Sequence, residues 1–339
     1  MKNISHNYLI YILISLTIAL TGCFEKDTAV KPHIWYGESY VFISSIYTSQ
    51  QFYSFENNSV LKSNPLDAWD ISFDSHANGW IIRLNSSNGI GAYHTNSHDF
   101  LLTNYSINPK NWLFDKSDGD STSTAIGVWM NKYENPAILS NEVYLIGKYN
   151  GSTYIPYKKV VFNMVNDTIY KFQCADIDNS NTQDITIKKD TIYSNNYYNL
   201  RKNQNVQIAP LKDAWDILFT PYLTTLYDTH GQQLTYLVRG VLLNHDNVTA
   251  AIDSIKPFEQ ISEFDISNIE FSNISDKIGY KWKTVDINFQ SNTGTYTIKK
   301  NYTYLIRNKK GSVYKLRFTS FYNTLGLEGY PSFEFLKLL

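Results

Sequence analysis

Asp67-Ala68-Trp69-Asp70-Ile71-Ser72-Phe73 returns later in the chain as Asp213-Ala214-Trp215-Asp216-Ile217-Leu218-Phe219, with six of seven residues identical at an offset of 146. Upstream, Phe52-Tyr53-Ser54-Phe55 corresponds to Tyr197-Tyr198-Asn199-Leu200 at offset 145, and Ile46-Tyr47 to Ile192-Tyr193. Downstream, Ile126-Gly127 and Trp129 match Ile278-Gly279 and Trp282. Tyr144-Leu145-Ile146, Gly151-Ser152 and Tyr154 match Tyr304-Leu305-Ile306, Gly311-Ser312 and Tyr314, now at offset 160. Islands that keep their order while the offset grows through loop insertions are the mark of an internal repeat. They define one unit over about 30–178 and a second over about 179–339. Within the motif, period-2 alternation puts Trp69, Ile71 and Phe73 on one face of a strand and Asp70 on the other. Large buried aromatics dominate core energetics, so Trp69 and Trp215 are expected to be equivalent core residues of the two units.

The rest of the chain agrees with strands. Aromatics make up 15% of the 339 residues, 27 of them Tyr, and Ile, Thr and Asn are abundant. Aromatic and β-branched side chains fit a pleated, half-buried surface, and Asn populates turns. Alternating segments recur at Tyr40–Ile43, Gly79–Leu84, Tyr236–Leu243 and Tyr314–Phe318, separated by Asn, Gly, Ser and Asp clusters. Helical periodicity is limited to Phe258–Phe271, where one or two short turns are expected. The expected fold is all-β, two related antiparallel units with few short helices. A net charge of −1 leaves no electrostatic footprint for nucleic acid.

The first 22 residues read as an export signal: Lys2 provides a positive start, and Tyr8–Leu20 is an apolar run too short for a membrane span. Leu20-Thr21-Gly22-Cys23 resembles the bacterial lipobox, which implies cleavage before Cys23 and acylation of its thiol. Cys174 is the only other cysteine, so lipidation is the role left for Cys23. Residues 23–29 are then a tether from a lipid anchor.

An aromatic-rich strand, then W-D-(I/L)-x-F, then Ile82-Arg83-Leu84-Asn85-Ser86-Ser87-Asn88-Gly89, resembles the HmuY-like haem-binding lipoproteins of the Bacteroidetes. The C-terminal stretch, Tyr304-Leu305-Ile306-Arg307 with Gly311, Tyr314–Phe318 and Gly326…Gly329, is similar to that family's last strands. The resemblance spans nearly the whole mature chain, as two family-like units. It implies an all-β fold, a lipid anchor at the outer membrane on its surface or periplasmic face, and haem as cofactor or cargo. It also implies capture of that haem for a TonB-dependent receptor.

Haem iron usually takes His or Met axially. The mature chain offers His33, His76, His94, His98, His230, His245, Met130 and Met164. His94 and His98 sit four apart in an Asn- and Ser-rich stretch, and Met130 follows the repeated Trp129 where the second unit has Lys283. That asymmetry points to His94 or His98, with Met130, as haem ligands; a polar surface loop and a packing methionine remain the alternatives. Asp115–Asp120 and Asp176–Asn179 invite a calcium reading but lack the Glu that completes an EF-hand loop, so Asx turns are expected. No phosphate-binding glycine loop, HExxH or GxSxG is present, and Cys174 has no positioned histidine in the sequence, so an enzyme is not expected. The rival to haem binding is a non-catalytic surface module for a glycan, a peptide or a partner protein.

Overall fold

A computed structural model describes residues 45–131, 138–228, 230–288 and 293–339. The export signal, Cys23, the tether over 23–29, the strand expected at Tyr40–Ile43 and His33 lie outside the described residues.

The first half of the described chain carries β1 (Ser49–Ser54), β2 (Ser59–Pro65), β3 (Ile71–Asp74), β4 (Ile82–Leu84), β5 (Ile90–His94), β6 (Met130–Asn131) and β7 (Ile138–Leu139). It continues through β8 (Val143–Tyr149), β9 (Tyr154–Val165), β10 (Ile169–Asp176) and β11 (Gln183–Lys188). The second half has β12 (Asn195–Asn199), β13 (Gln204–Val206), β14 (Ile217–Tyr227), β15 (Gln233–Leu243), β16 (Thr249–Asp253), β17 (Lys283–Asn288) and β18 (Thr293–Ile298). It ends with β19 (Thr303–Arg307), β20 (Val313–Tyr322) and β21 (Glu328–Lys337). The expected helical turns appear as two short 3-10 helices, Phe258–Gln260 and Glu263–Asn268. The all-β reading is confirmed, and every strand pairing described is antiparallel.

Four larger sheets form two sandwiches. Sheet β13-β12-β3-β4 faces sheet β11-β10-β9-β8-β5 across a core that includes Ile71, Phe73, Tyr144, Phe162, Phe172 and Trp129. Sheet β15-β14-β1-β2 faces sheet β16-β19-β20-β21 across a core that includes Ile217, Phe219, Tyr304, Phe318, Phe333 and Trp282. Matched islands occupy matched places. Gly127 and Gly279 take left-handed φ values of 64° and 60°, and Trp129 and Trp282 are each 1% exposed. β8 and β19, with Tyr144-Leu145-Ile146 and Tyr304-Leu305-Ile306, are buried alike.

The edge pairing of the two sandwiches crosses the sequence boundary near 178. Hairpin β1–β2 belongs by sequence to the first repeat, yet β1 pairs with β14, setting Phe52 against Leu218 and Tyr53 against Ile217. Hairpin β12–β13 belongs by sequence to the second, yet β12 pairs with β3, setting Tyr197 against Ser72 and Tyr198 against Ile71. With offsets of 145 for the hairpin and 146 for the motif strand these are the same register. Each hairpin therefore delivers apolar side chains to the other repeat's core: Tyr53 and Phe55 to one, Tyr198 and Leu200 to the other.

The second Asp of each motif captures the visiting hairpin. Asp70 Oδ2 accepts from the Leu200 N–H at 2.9 Å, and Asp216 Oδ2 from the Phe55 N–H at 2.7 Å. A buried carboxylate must be hydrogen-bonded to be tolerated, and here the donor is a backbone amide arriving from the other repeat. The hairpin turns match as well: Tyr53 donates to Asn58 and Tyr198 to Asn203, and both asparagines have left-handed φ. Asn tolerates that region better than other non-glycine residues.

The two motif carboxylates differ in their surroundings. Asp70 also accepts from Arg201 Nη2 at 2.9 Å and Tyr157 OH at 3.2 Å. Asp216 has no ion-pair partner among the described residues, and burial, only partly offset by the Phe55 amide and the more distant Lys310, pushes its pKa from 3.8 up to about 6. Folded Asp216 thus holds its proton to a higher pH than in the unfolded chain. Its stabilising contribution is complete below about pH 3.8 and is lost as pH rises through about 6. The stability of Asp216→Asn relative to the parent should rise by on the order of 2–3 kcal/mol between pH 4 and 7. Urea unfolding of both proteins at several pH values checks this; a pH-independent difference would show that the carboxyl stays ionised.

The expected motif face needs one correction. Ile71 and Phe73 enter the sandwich core, but Trp69 precedes β3 and turns into a separate cluster with Phe52, Ile208 and Ala209. Asp70, on the opposite face, is fully buried as well. Trp215 is only partly buried, in the same cluster as Trp69. The two tryptophans do hold equivalent posts: Phe52 meets Trp215 edge-on at 4.9 Å, and Tyr197 meets Trp69 edge-on at 5.0 Å.

Candidate functional site

The Trp69 and Trp215 cluster lies at the seam between the sandwiches, beside a cavity of about 590 Å³. This is within the usual range for small-molecule sites. Its wall is aromatic and aliphatic: Phe52, Trp69, Tyr197, Trp215, Leu218 and Leu242. The walls come from strands of both repeats because the hairpins are exchanged. Gln50 on β1 fixes the floor. Its amide donates to Ser87 at 2.8 Å and Thr220 at 3.1 Å, and its oxygen accepts from Trp69 Nε1 at 2.9 Å. The corresponding indole N–H of Trp215 is buried and finds no acceptor among the described residues. A buried donor left unpaired is costly.

Two histidines line the same cavity. His76 Nδ1 is 2.7 Å from Asp74 Oδ1, and its Nε2 has only a 3.8 Å contact with Asp246. His245 Nδ1 is 2.9 Å from the Asn273 carbonyl. Carboxylate and carbonyl oxygens only accept, so both imidazoles carry their proton on Nδ1 and, when neutral, present a lone pair at Nε2. That is the arrangement of metal-bound histidines, in which the second nitrogen is anchored to an oxygen. The loop over residues 115–121 joins the same cavity. Gly119, at φ +88°, passes so close that a Cβ there would lie 2.8 Å from His245 Nδ1, and its carbonyl accepts from Arg83 at 2.7 Å. Arg83 and Lys116 are the cavity's cations. Asp115 is buried beneath them, accepts from the Leu84 and Ala125 amides, and is pushed by burial to a pKa of about 6.

The residues singled out from the sequence fall elsewhere. His94 ends β5, with Nδ1 3.3 Å from Glu142 and Nε2 3.0 Å from the Ala125 carbonyl, so both nitrogens are engaged. His98 is exposed in the loop beyond it, and Met130 is packed in the first sandwich core. None of the three lines a described cavity. The four-residue spacing of His94 and His98 carries no ligating geometry, because one ends a strand and the other lies in irregular chain. His76 and His245 lay in the same pool of candidates; what marks them is Asp74 two residues before His76 and a carbonyl 28 residues beyond His245. The first is visible in the sequence and the second is not.

The two Asp-rich stretches are turns, as expected: Asp118 Oδ1 accepts from the Asp120 amide, Asp120 Oδ1 from Thr122 and Asp178 Oδ1 from Ser180. Cys174 is a free, buried thiol in the first core, pushed up to about 12 by burial, which keeps it protonated and unreactive at neutral pH. No helix among the described residues is long and apolar enough to cross a membrane.

Fold and cavity together define the chain as an all-β protein with a ligand-sized, aromatic-walled cavity held between two interlocked sandwiches. Residues 193–335 match the family model described as HmuY protein, so the resemblance to HmuY proteins holds over that stretch. The matched stretch begins with the hairpin that here pairs with β3. No curated protein matches the sequence. Among solved structures, a protein from Bacteroides vulgatus described as HmuY-like and haem-binding is 15% identical, covering 54% of this chain and 93% of its own, with a TM-score of 0.19. A protein from Bacteroides fragilis described as a lipoprotein is 15% identical, covering 53% of this chain and 89% of its own, with a TM-score of 0.19.

Proposed function

We propose that the protein is a non-catalytic lipoprotein, anchored to the outer membrane through Cys23, that binds haem in the seam cavity. The observation that carries this reading is the pair His76 and His245. Each lines the aromatic-walled cavity with Nδ1 held by an oxygen, which leaves Nε2 as the nitrogen available to a ligand. The residues fit haem in three respects. Imidazole nitrogens suit the iron, the Trp69 and Trp215 walls suit a flat macrocycle, and Arg83, Lys116 and the free Trp215 N–H suit its carboxylates. Delivery to a TonB-dependent receptor rests on the family resemblance alone.

Haemin titration followed by absorbance tests the reading. The parent should give a sharpened, shifted Soret band that saturates at one equivalent. His76→Ala and His245→Ala should each weaken binding at least about tenfold, as expected for loss of one of two axial ligands with its anchoring shell. His94→Ala should leave the titration unchanged. Absence of a Soret change in the parent, or indifference to both cavity histidines, would overturn the assignment. Trp-dependent binding of a neutral glycan would then favour the surface-module reading.

A further inference from the structure

A second cavity, of about 520 Å³, opens on the second sandwich between the outer part of β15 and the β17–β18 hairpin. Its walls are Leu226, Leu237, Val238, Val285, Tyr280 and Tyr236, the last about half exposed. Two cations line it. Lys283 is only 9% exposed; its Nζ donates to the Arg239 carbonyl at 2.7 Å and lies over the rings of Trp282 and Phe321, 4.1 and 4.6 Å from their centres. The Arg239 guanidinium rests on the Tyr47 ring at 4.1 Å, gives one Nη1 bond to the Leu237 carbonyl, and keeps a buried Nε–H with no acceptor among the described residues. Neither cation enters an ion pair among the described residues; the nearby Glu328 is bound to the Tyr47 hydroxyl at 2.7 Å instead.

Buried cations are normally paired, because taking a charge out of water costs several kcal/mol, on the order estimated for buried ions. Here rings and a carbonyl compensate in part, and burial together with the neighbouring Arg239 pushes the Lys283 pKa down to about 7. No carboxylate among the described residues completes either cation. Both cations line this cavity, and apart from Thr284 and Gly294 its other walls are apolar or phenolic, so a compact hydrophilic anion would leave most of those walls uncovered. We infer that this cavity binds a monocarboxylate with an apolar tail, its carboxylate received by Arg239 and Lys283 and its tail covered by Tyr236, Leu237 and Val285. The site shares no lining residue with the seam cavity and is independent of haem binding there.

Dodecanoate, kept below its aggregation concentration, is the probe, and calorimetric titration of the full mature chain is the measurement. Lys283→Met and Arg239→Gln are the variants; methionine is the residue at the matching position of the first repeat, Met130. Each should weaken dodecanoate at least about tenfold, the loss expected when a charge-assisted hydrogen bond of roughly 1.5–3 kcal/mol is removed. Dodecanol, with the same tail and no charge, should bind at least about tenfold more weakly than dodecanoate. Haemin titration of both variants should match the parent, which separates this site from the seam cavity. No dodecanoate binding, equal binding of dodecanol, or indifference to both substitutions would overturn the inference.

Discussion

Trp282→Ala is expected to cost about 3–5 kcal/mol of unfolding free energy, and Trp129→Ala a similar amount, the range for deleting a large, fully buried aromatic. Trp282 is sealed between Phe318, stacked at 3.9 Å, Phe321, edge-on at 5.7 Å, and the Lys283 ammonium over its face. Trp129 tilts against Phe162 at 5.3 Å and gives its N–H to the Trp80 carbonyl at 2.9 Å. Neither site can refill without moving strands of two sheets, so the cavity term adds to the lost transfer energy. Trp215→Ala, at the edge of the open seam, should cost clearly less. The exchanged hairpins add a second expectation. Each core contains aromatics from the other repeat, so both substitutions should lower the midpoint of one shared transition. Denaturant unfolding read by far-ultraviolet circular dichroism checks both points. Two separate transitions, with one substitution affecting only one of them, would show that the hairpins do not couple the sandwiches.

Asp70→Ala is expected to be as severe, about 3–5 kcal/mol, the cost of breaking a buried, hydrogen-bonded charge pair from one side. Fully buried Asp70 ties three groups at once: the Arg201 guanidinium and the Leu200 amide of the visiting segment, and the Tyr157 hydroxyl of β9. Removing it strands a buried amide and lets hairpin β12–β13 peel from β3. Asp70→Asn should fall between, at about 1.5–3 kcal/mol, since it keeps one acceptor but forfeits the charge that Arg201 answers. At Asp216, where no guanidinium answers the carboxylate, the same change to Asn should be nearly neutral at pH 7. Equal losses at Asp70→Asn and Asp216→Asn in urea unfolding would contradict this distinction.

The candidate site was less legible than the fold. Counting histidines and methionines placed His76 and His245 among the candidates, while the asymmetry of Met130 against Lys283 pointed to His94, His98 and Met130, none of which lines a described cavity. Met130 is a core residue, and Lys283 keeps its charge tolerable through ring faces and a carbonyl rather than by reaching solvent. Arg83 and Gly119 meet across 36 residues, and His245 and Asn273 across 28, in contacts set by how loops cross the seam. Such loops carry no periodicity from which the contact could be read.

The alternating strands, the Asn- and Gly-marked turns and the repeated islands were fixed locally, because period-2 burial and left-handed turn positions constrain side-chain type residue by residue. From these the all-β class and the correspondence of Phe52-Tyr53 with Tyr197-Tyr198 follow without coordinates. Which strand each hairpin joins does not. Backbone N–H and C=O groups are the same at every residue, and the side chains facing β1 from β14 match those facing β12 from β3 at two of three positions, Ile217 with Ile71 and Phe219 with Phe73, with Leu218 in place of Ser72 between them. The sequence therefore specifies that an aromatic hairpin pairs with a Trp-Asp-Ile-x-Phe strand, while leaving its own and the other repeat's strand equally acceptable. Only the tertiary structure makes the choice, through the path of the connections over 66–70 and 207–216 and the joint closing of two cores. The seam cavity, built from both repeats, exists because of that choice.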